Sequence, residues 1–199
     1  MRLLLATGSE HKLREFAALL EPHRVDRLPP EVDLGPEVGE TFAENALGKA
    51  RTAARALGRP AIADDSGIEA EALGGRPGVY SRRYAGEDAT DEANLAKLLR
   101  EAPAGSRLAY VCAIAHVDPA TGEERVFEGR CTGRLADRPR GSGGFGYDPA
   151  FLPDDGPPGL TMAELPAEAK HAISHRGRAA RALLEWLGAA GGGRHEPGR

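Results

Sequence analysis

Arg2-Leu-Leu-Leu-Ala6, then Thr7-Gly8-Ser9, then Glu10 through Leu20 is the stretch that decides the fold. Its first part is a short apolar run, the pattern of a buried strand opening an α/β domain. Thr7-Gly8-Ser9 breaks that run. From there Leu13, Phe16, Ala17 and Leu20 recur at i, i+3, i+4 and i+7, which predicts a helix over 10–20. Strand, polar turn and helix in that order aim backbone N–H groups and the positive end of a helix dipole at the turn.

Working outward, four prolines and two glycines between 22 and 39 predict a loop, with a short strand near Val25. Thr41-Phe-Ala-Glu44 is a capping box opening a helix whose apolar face is Ala43, Ala46, Leu47, Ala50, Ala54 and Leu57. Gly58 and Pro60 stop it. Ala61-Ile62-Ala63 predicts a second buried strand, Asp64-Asp65-Ser66-Gly67 the turn at its end, and Ile68 to Leu73 a further strand. Asp91 to Leu99 reads as a helix, and 107–117 with 124–132 as a hairpin turning at Asp118–Gly122. A Gly/Pro/Arg loop then runs from Gly133 to Asp148. A second capping box, Thr161-Met-Ala-Glu164, precedes a helical stretch over 167–187 with a break near Gly177. The expected architecture is one α/β domain over 1–190, a mixed sheet with helices on it, followed by a disordered tail at 191–199.

The 199 residues carry 41% apolar side chains and a net charge of -4, ordinary globular composition without the basic excess of a dedicated DNA-binding protein. The N-terminal apolar run is too short for a signal peptide, and no stretch approaches the roughly 20 apolar residues that span a bilayer. With Cys112 and Cys131 at no metal-ligand spacing, the expectation is a cytoplasmic protein with two reduced, buried thiols and no nucleic-acid or membrane partner. The basic residues divide unevenly, 22 Arg against four Lys at 12, 49, 97 and 170, so each Lys is informative.

Four polar constellations sit where chemistry is expected. Thr7-Gly8-Ser9-Glu10-His11-Lys12, a turn at a helix N-terminus, can hold phosphate oxygens through backbone N–H groups and one ammonium. Asp64 and Asp65 are two adjacent carboxylates whose crowding a cation would relieve, and hard oxygen ligands of this kind suit Mg²⁺. Glu40 is a further candidate ligand, because Glu44 is already used by its capping box. Gly141-Ser-Gly-Gly-Phe-Gly-Tyr-Asp148 contains G-x-G-x-x-G, but no strand precedes it and Pro149 follows where a helix should run. What remains is a flexible backbone on which Phe145 can stack against a base and Asp148 can accept from a ring or sugar donor. Lys170 with Ser174-His175-Arg176 presents donors suited to a carbonyl or an anion. Together these are the parts of a Mg²⁺-dependent enzyme acting on a nucleoside triphosphate.

The same residues resemble the inosine triphosphate pyrophosphatase family. The likeness runs from Leu3 to about Leu184. It includes Ala6-Thr-Gly-x-x-x-Lys12, Thr41-Phe-x-Glu-Asn-Ala-x-x-Lys-Ala50 and Ala63-Asp-Asp-Ser-Gly67. It continues through Leu73-Gly-Gly-x-Pro-Gly-x-Tyr-Ser-x-Arg-Tyr-x-Gly86, Gly143-Gly-Phe-Gly-Tyr-Asp-Pro-x-Phe151 and Lys170-x-x-Ile-Ser-His-Arg-x-x-Ala179. The resemblance implies hydrolysis of ITP, dITP and XTP to the monophosphate and pyrophosphate. It implies an elongated two-lobed α/β structure, with the active site in the cleft between lobes, and a homodimer. It gives Asp65 the role of proton acceptor and Mg²⁺ ligand, with Glu40 a second acidic ligand. Thr7, Gly8, Ser9, Glu10, His11 and Lys12 would bind the triphosphate. Ser66, Phe145, Gly146, Tyr147, Asp148, Lys170, His175 and Arg176 would contact the nucleotide. The family commonly has Asn where Ser9 stands, which removes a side-chain amide donor there. The competing readings are a pyrophosphatase for another modified nucleotide and a nucleotide sensor without turnover. A sensor has no need of a water-activating carboxylate.

Overall fold

In the computed structural model, which describes residues 2–192, β1 (Arg2–Leu5) leads into α1 (Glu10–Leu19), and β2 (Arg24–Arg27) returns parallel beside β1. The capped helix α2 (Phe42–Leu57) follows, and then β3 (Ala61–Ala70), parallel to β1 on its other side. After α3 (Asp91–Glu101) come the long hairpin strands β4 (Arg107–Asp118) and β5 (Glu123–Leu135), with β6 (Phe151–Pro153) on the edge. Helices α4 (Ala167–Ile173) and α5 (His175–Gly192) close the described chain. The result is one mixed six-stranded sheet in the order β2-β1-β3-β4-β5-β6, with helices on both faces.

β3 departs from the sequence expectation. Asp64-Asp65-Ser66-Gly67 is not a turn: β3 runs through it, and its ladder with β4 is unbroken from Ala61↔Val117 to Ala70↔Leu108. The polar stretch stays extended because helices on each face supply a counter-charge to the carboxylate pointing their way. Residues 68–70 therefore continue the same strand, and 71–73 form a 3-10 turn. The second capping box opens a single 3-10 turn, Met162–Glu164. The late helical stretch breaks at Ser174 rather than Gly177, because the Ser174 hydroxyl accepts from the Gly177 N–H at 3.0 Å. Gly191 and Gly192 extend α5, and the rest of the tail expected to be disordered lies outside the described residues.

Three apolar clusters pack around the sheet. On one face of the sheet, Ala61, Ala63, Ala113 and Ala115 pack against α2 through Ala46, Ala50, Ala53 and Ala54. On the other, Ile62, Cys112 and Ile114 meet Phe16 of α1 and Ala180 and Leu183 of α5. The far ends of β3, β4 and β5 enter a third cluster, with Ile68, Tyr110 and Leu135 against Leu98 of α3 and Phe151. Residues 64–67 lie where the first two clusters give way to the third.

Candidate active site

The pleat of β3 sends successive side chains to opposite faces, so Asp64 and Asp65 do not share one cation. Asp64 points to the α1/α5 face. There its Oδ2 lies 2.9 Å from Lys12 Nζ and 3.6 Å from Arg176 Nε. Burial alone would raise the Asp64 carboxyl, but the Lys12 and Arg176 charges outweigh it and hold the group below its usual range. Ser66, on the same face, accepts from Arg176 Nη2 at 2.7 Å. Arg176 is itself buried, and its other arm reaches Glu15 Oε2 at 3.3 Å.

Asp65 points to the α2 face. Asn45 Nδ2 donates to its Oδ2 at 3.0 Å, and Lys49, one helical turn on, places Nζ 3.6 Å from its Oδ1. The Asn45 amide oxygen meanwhile accepts from the Gly39 N–H at 2.7 Å, pinning the preceding loop. Lys49 also binds Glu37 at 2.5 Å, so one ammonium bridges two carboxylates. Burial raises the Asp65 carboxyl; the neighbouring Glu37 raises it further, and Lys49 only partly compensates. A carboxylate so placed is a competent proton acceptor. Gly67, next on this face, is required by close approach: a Cβ there would lie 2.4 Å from Ser81 Oγ and 2.5 Å from the Gly78 carbonyl.

Glu37, not Glu40, is the second acid of this cluster. Glu40 is exposed, its backbone N–H donates to Glu44 at 2.8 Å, and among the described residues no contact joins its carboxylate to Asp65. Glu37 lies in a loop with no local pattern to mark it. Asn45 and Lys49 were not singled out as site residues either, although their i, i+4 spacing on the capped helix puts them on one face. Among the described residues no cluster of three or more ligating side chains is preformed. The donor set of Asp65 and Glu37 nevertheless fits a hard divalent cation, which takes one or two carboxylates and keeps its waters.

The turn at α1 is built as the sequence suggests, with one exception. Ser9 is the N-cap: its Oγ accepts from the Lys12 N–H at 3.3 Å, and its own N–H donates to Thr7 Oγ1 at 3.2 Å. Ser and Asn cap about equally well, so the departure from the family residue keeps the turn. At Gly8 an added Cβ would meet nothing, leaving the backbone open. Glu10 is turned away into a bidentate ion pair with Arg27 of β2, so its side chain does not join the site.

Opposite this turn, Phe145 forms a platform. The His11 ring stacks on it at 5.8 Å, and Lys170 Nζ and the Arg176 guanidinium lie 5.2 and 5.0 Å from its centroid. Asp148 is not a free acceptor. It is buried, its Oδ2 takes Lys170 Nζ at 2.7 Å and the Phe145 N–H at 2.9 Å, and it holds the Tyr110 hydroxyl. Gly144, at φ +71°, would put a Cβ 2.1 Å from that carboxylate. Tyr147 is likewise structural, its hydroxyl donating to the Ser81 carbonyl at 2.7 Å. His175 stacks flat on Tyr110 at 4.6 Å; burial, reinforced by Arg176 and Lys170, drives its pKa well down, and its buried Nδ1 has no hydrogen-bond partner. A hollow of about 330 Å³ lined by His11, Glu15, Phe145 and Lys170 adjoins these groups, large enough for a base.

Comparison with known proteins finds relatives over nearly the whole chain. The model of the Ham1 family matches residues 3–186. A dITP/XTP pyrophosphatase of Geobacter sulfurreducens is 51% identical, over 94% of this chain and 96% of that protein. The dITP/XTP pyrophosphatase of Escherichia coli K12 is 46% identical, over 94% and 98% respectively. Among solved structures, the Staphylococcus aureus Ham1 protein superposes with a TM-score of 0.82 at 40% identity, covering 96% of this chain and all of that one.

Proposed function

The chain belongs to the Ham1 family, and from that premise we propose that it hydrolyses ITP, dITP and XTP to the nucleoside monophosphate and pyrophosphate. The observation that carries the reading is the division of labour across β3. Cations and an aromatic platform lie on one face, and a carboxylate with a raised pKa lies on the other. The open turn at Gly8 and the N-terminus of α1, with Lys12, bind the triphosphate. Phe145 carries the base. Asp65 takes the proton of a water that attacks the α-phosphorus, the α–β anhydride bond breaks, and pyrophosphate leaves. Asn45 orients Asp65 through a single acceptor oxygen and leaves the other towards Lys49.

Mg²⁺ is part of the proposal, held by Asp65 and Glu37; when bound it supplies phosphate charge neutralisation and acidification of water. The sign of fit is geometric: the Asp65 and Glu37 carboxylates converge on one cation, the Lys49 ammonium, at 3.6 and 2.5 Å. Deaminated purines present a carbonyl at the 6-position, where adenine presents an amine. Arg176 and a donor tautomer of His175 donate to the carbonyl and leave the amine unpaired, a difference of about 1–3 kcal/mol. The protein acts as a homodimer in the cytoplasm. Among the described residues no helix is long and apolar enough to cross a membrane. Phosphorus NMR of products from ITP and Mg²⁺ tests the reading: IMP with pyrophosphate is expected, and IDP with orthophosphate would overturn it.

A further inference from the structure

Asp91 has a complete local explanation that it does not obey. Thr90 is the N-cap of α3, its Oγ1 accepting from the Ala93 N–H at 3.2 Å, so Asp91 is the first helical residue, where a negative charge complements the dipole. Yet its Oδ2 reaches out of the helix and accepts from the Gly146 N–H at 2.8 Å. Gly146 follows Phe145, the platform residue, and takes φ +63°. The platform loop is also tied inward, through Phe145 to Asp148, and outward through the Gly143 N–H to the Ala163 carbonyl at 2.9 Å and the Tyr147 hydroxyl to Ser81. The ties from Gly146 and Tyr147 both end on the segment 78–94.

That segment is one connected unit. Asn94, one turn along α3 from Asp91 on the same side, is buried; it donates to the Arg82 carbonyl at 2.8 Å and accepts from the Ala85 N–H at 2.8 Å. Ser81 in turn accepts from the Ile68 N–H of β3 at 2.8 Å. Hydrogen bonds, with the short backbone runs 91–94 and 81–82 between them, therefore connect Gly146 through the first turn of α3 and the 78–85 turn to β3, the strand that bears Asp65.

We propose that Asp91 is a positioning residue, the tether that holds the Phe145 platform in register with the catalytic strand. The inference rests on the pyrophosphatase reading for the role of Phe145, but the tether itself does not. The test compares the wild type with D91A and D91N by ITP kinetics, by hydrogen exchange of the amides over 141–150, and by melting temperature. An Asn carbonyl can accept the same bond but carries no charge, so it separates tethering from helix electrostatics. D91A should raise KM for ITP roughly fivefold to tenfold, the value of one hydrogen bond, with kcat little changed, and should speed exchange at Gly146. D91N should keep both KM and protection near wild type. Unchanged exchange in D91A, or D91N as impaired as D91A, would overturn the proposal. Failure of the wild type to hydrolyse ITP would instead refute the pyrophosphatase reading, and the exchange comparison would still decide the tether.

Discussion

Arg176→Met is the substitution whose cost follows most directly from the geometry. The guanidinium is buried to 5% exposure and serves three partners: Glu15 at 3.3 Å, Ser66 at 2.7 Å and Asp64 at 3.6 Å. Methionine fills much of the space and removes the charge, so Glu15 and Asp64 both lose a partner and Asp64 keeps only Lys12 and the more distant Lys49. Removing one partner from a buried ion network typically costs about 3–5 kcal/mol, because the remaining charge stays desolvated. For a chain of this size each kcal/mol moves the melting temperature by about 2–4 °C, which gives a fall of about 6–20 °C. The Glu15→Gln/Arg176→Met double variant buries one orphan carboxylate fewer. It should recover about 1–3 kcal/mol relative to the sum of the single changes, as groups in one network do. Urea melts of the four proteins measure that coupling. A single variant within about 1 kcal/mol of wild type, or strictly additive changes, would refute the assignment of Arg176 as the hub of the α1/α5 face.

Three further outcomes follow from the same strand. Asp65→Asn should lower kcat on ITP by about 10²–10⁴ while ITP binding by calorimetry changes little; a kcat near wild type would remove Asp65 as the base. Gly67→Ala forces a methyl against Ser81 Oγ and the Gly78 carbonyl, so it should cost about 1–3 kcal/mol in a urea melt and displace Asp65 enough to lower kcat. Adding Ser81→Ala should not restore it, because the backbone contact remains. The Asp64 carboxyl is held below its ordinary 3.8, so its contribution to stability is complete above that pH and is lost as pH falls through the folded value. The stability gap between wild type and Asp64→Asn should accordingly narrow below pH 3.8, as read from urea melts across that range.

Much of this arrangement was legible in the sequence because local rules carried it. The β1–turn–α1 unit, the boxed start of α2 and the β4–β5 hairpin each follow from periodicity, caps or turn residues within a few positions. β3 was misread for a physical reason: two Asp and a Ser resemble a turn until Lys12, Arg176 and Lys49 are brought onto the two faces by helices far along the chain. The same non-local pairing hid the fate of Glu10, taken by Arg27, and the role of Glu37, which only Lys49 identifies. Asp148 and Tyr147 lie in the right motif, but their polar atoms support the platform rather than face a ligand. The scarce lysines fall largely in one region. Lys12, Lys49 and Lys170 each bind a carboxylate of the site, while Lys97 lies over the Tyr84 ring at 4.4 Å, on α3.

Purine selectivity is the central claim, and one ratio measures it: kcat/KM for ITP against kcat/KM for ATP, with Mg²⁺, scored by pyrophosphate release. One carbonyl–donor match in place of an unpaired amine predicts ITP favoured by at least about tenfold to a hundredfold. Equal use of ATP and ITP would contradict it.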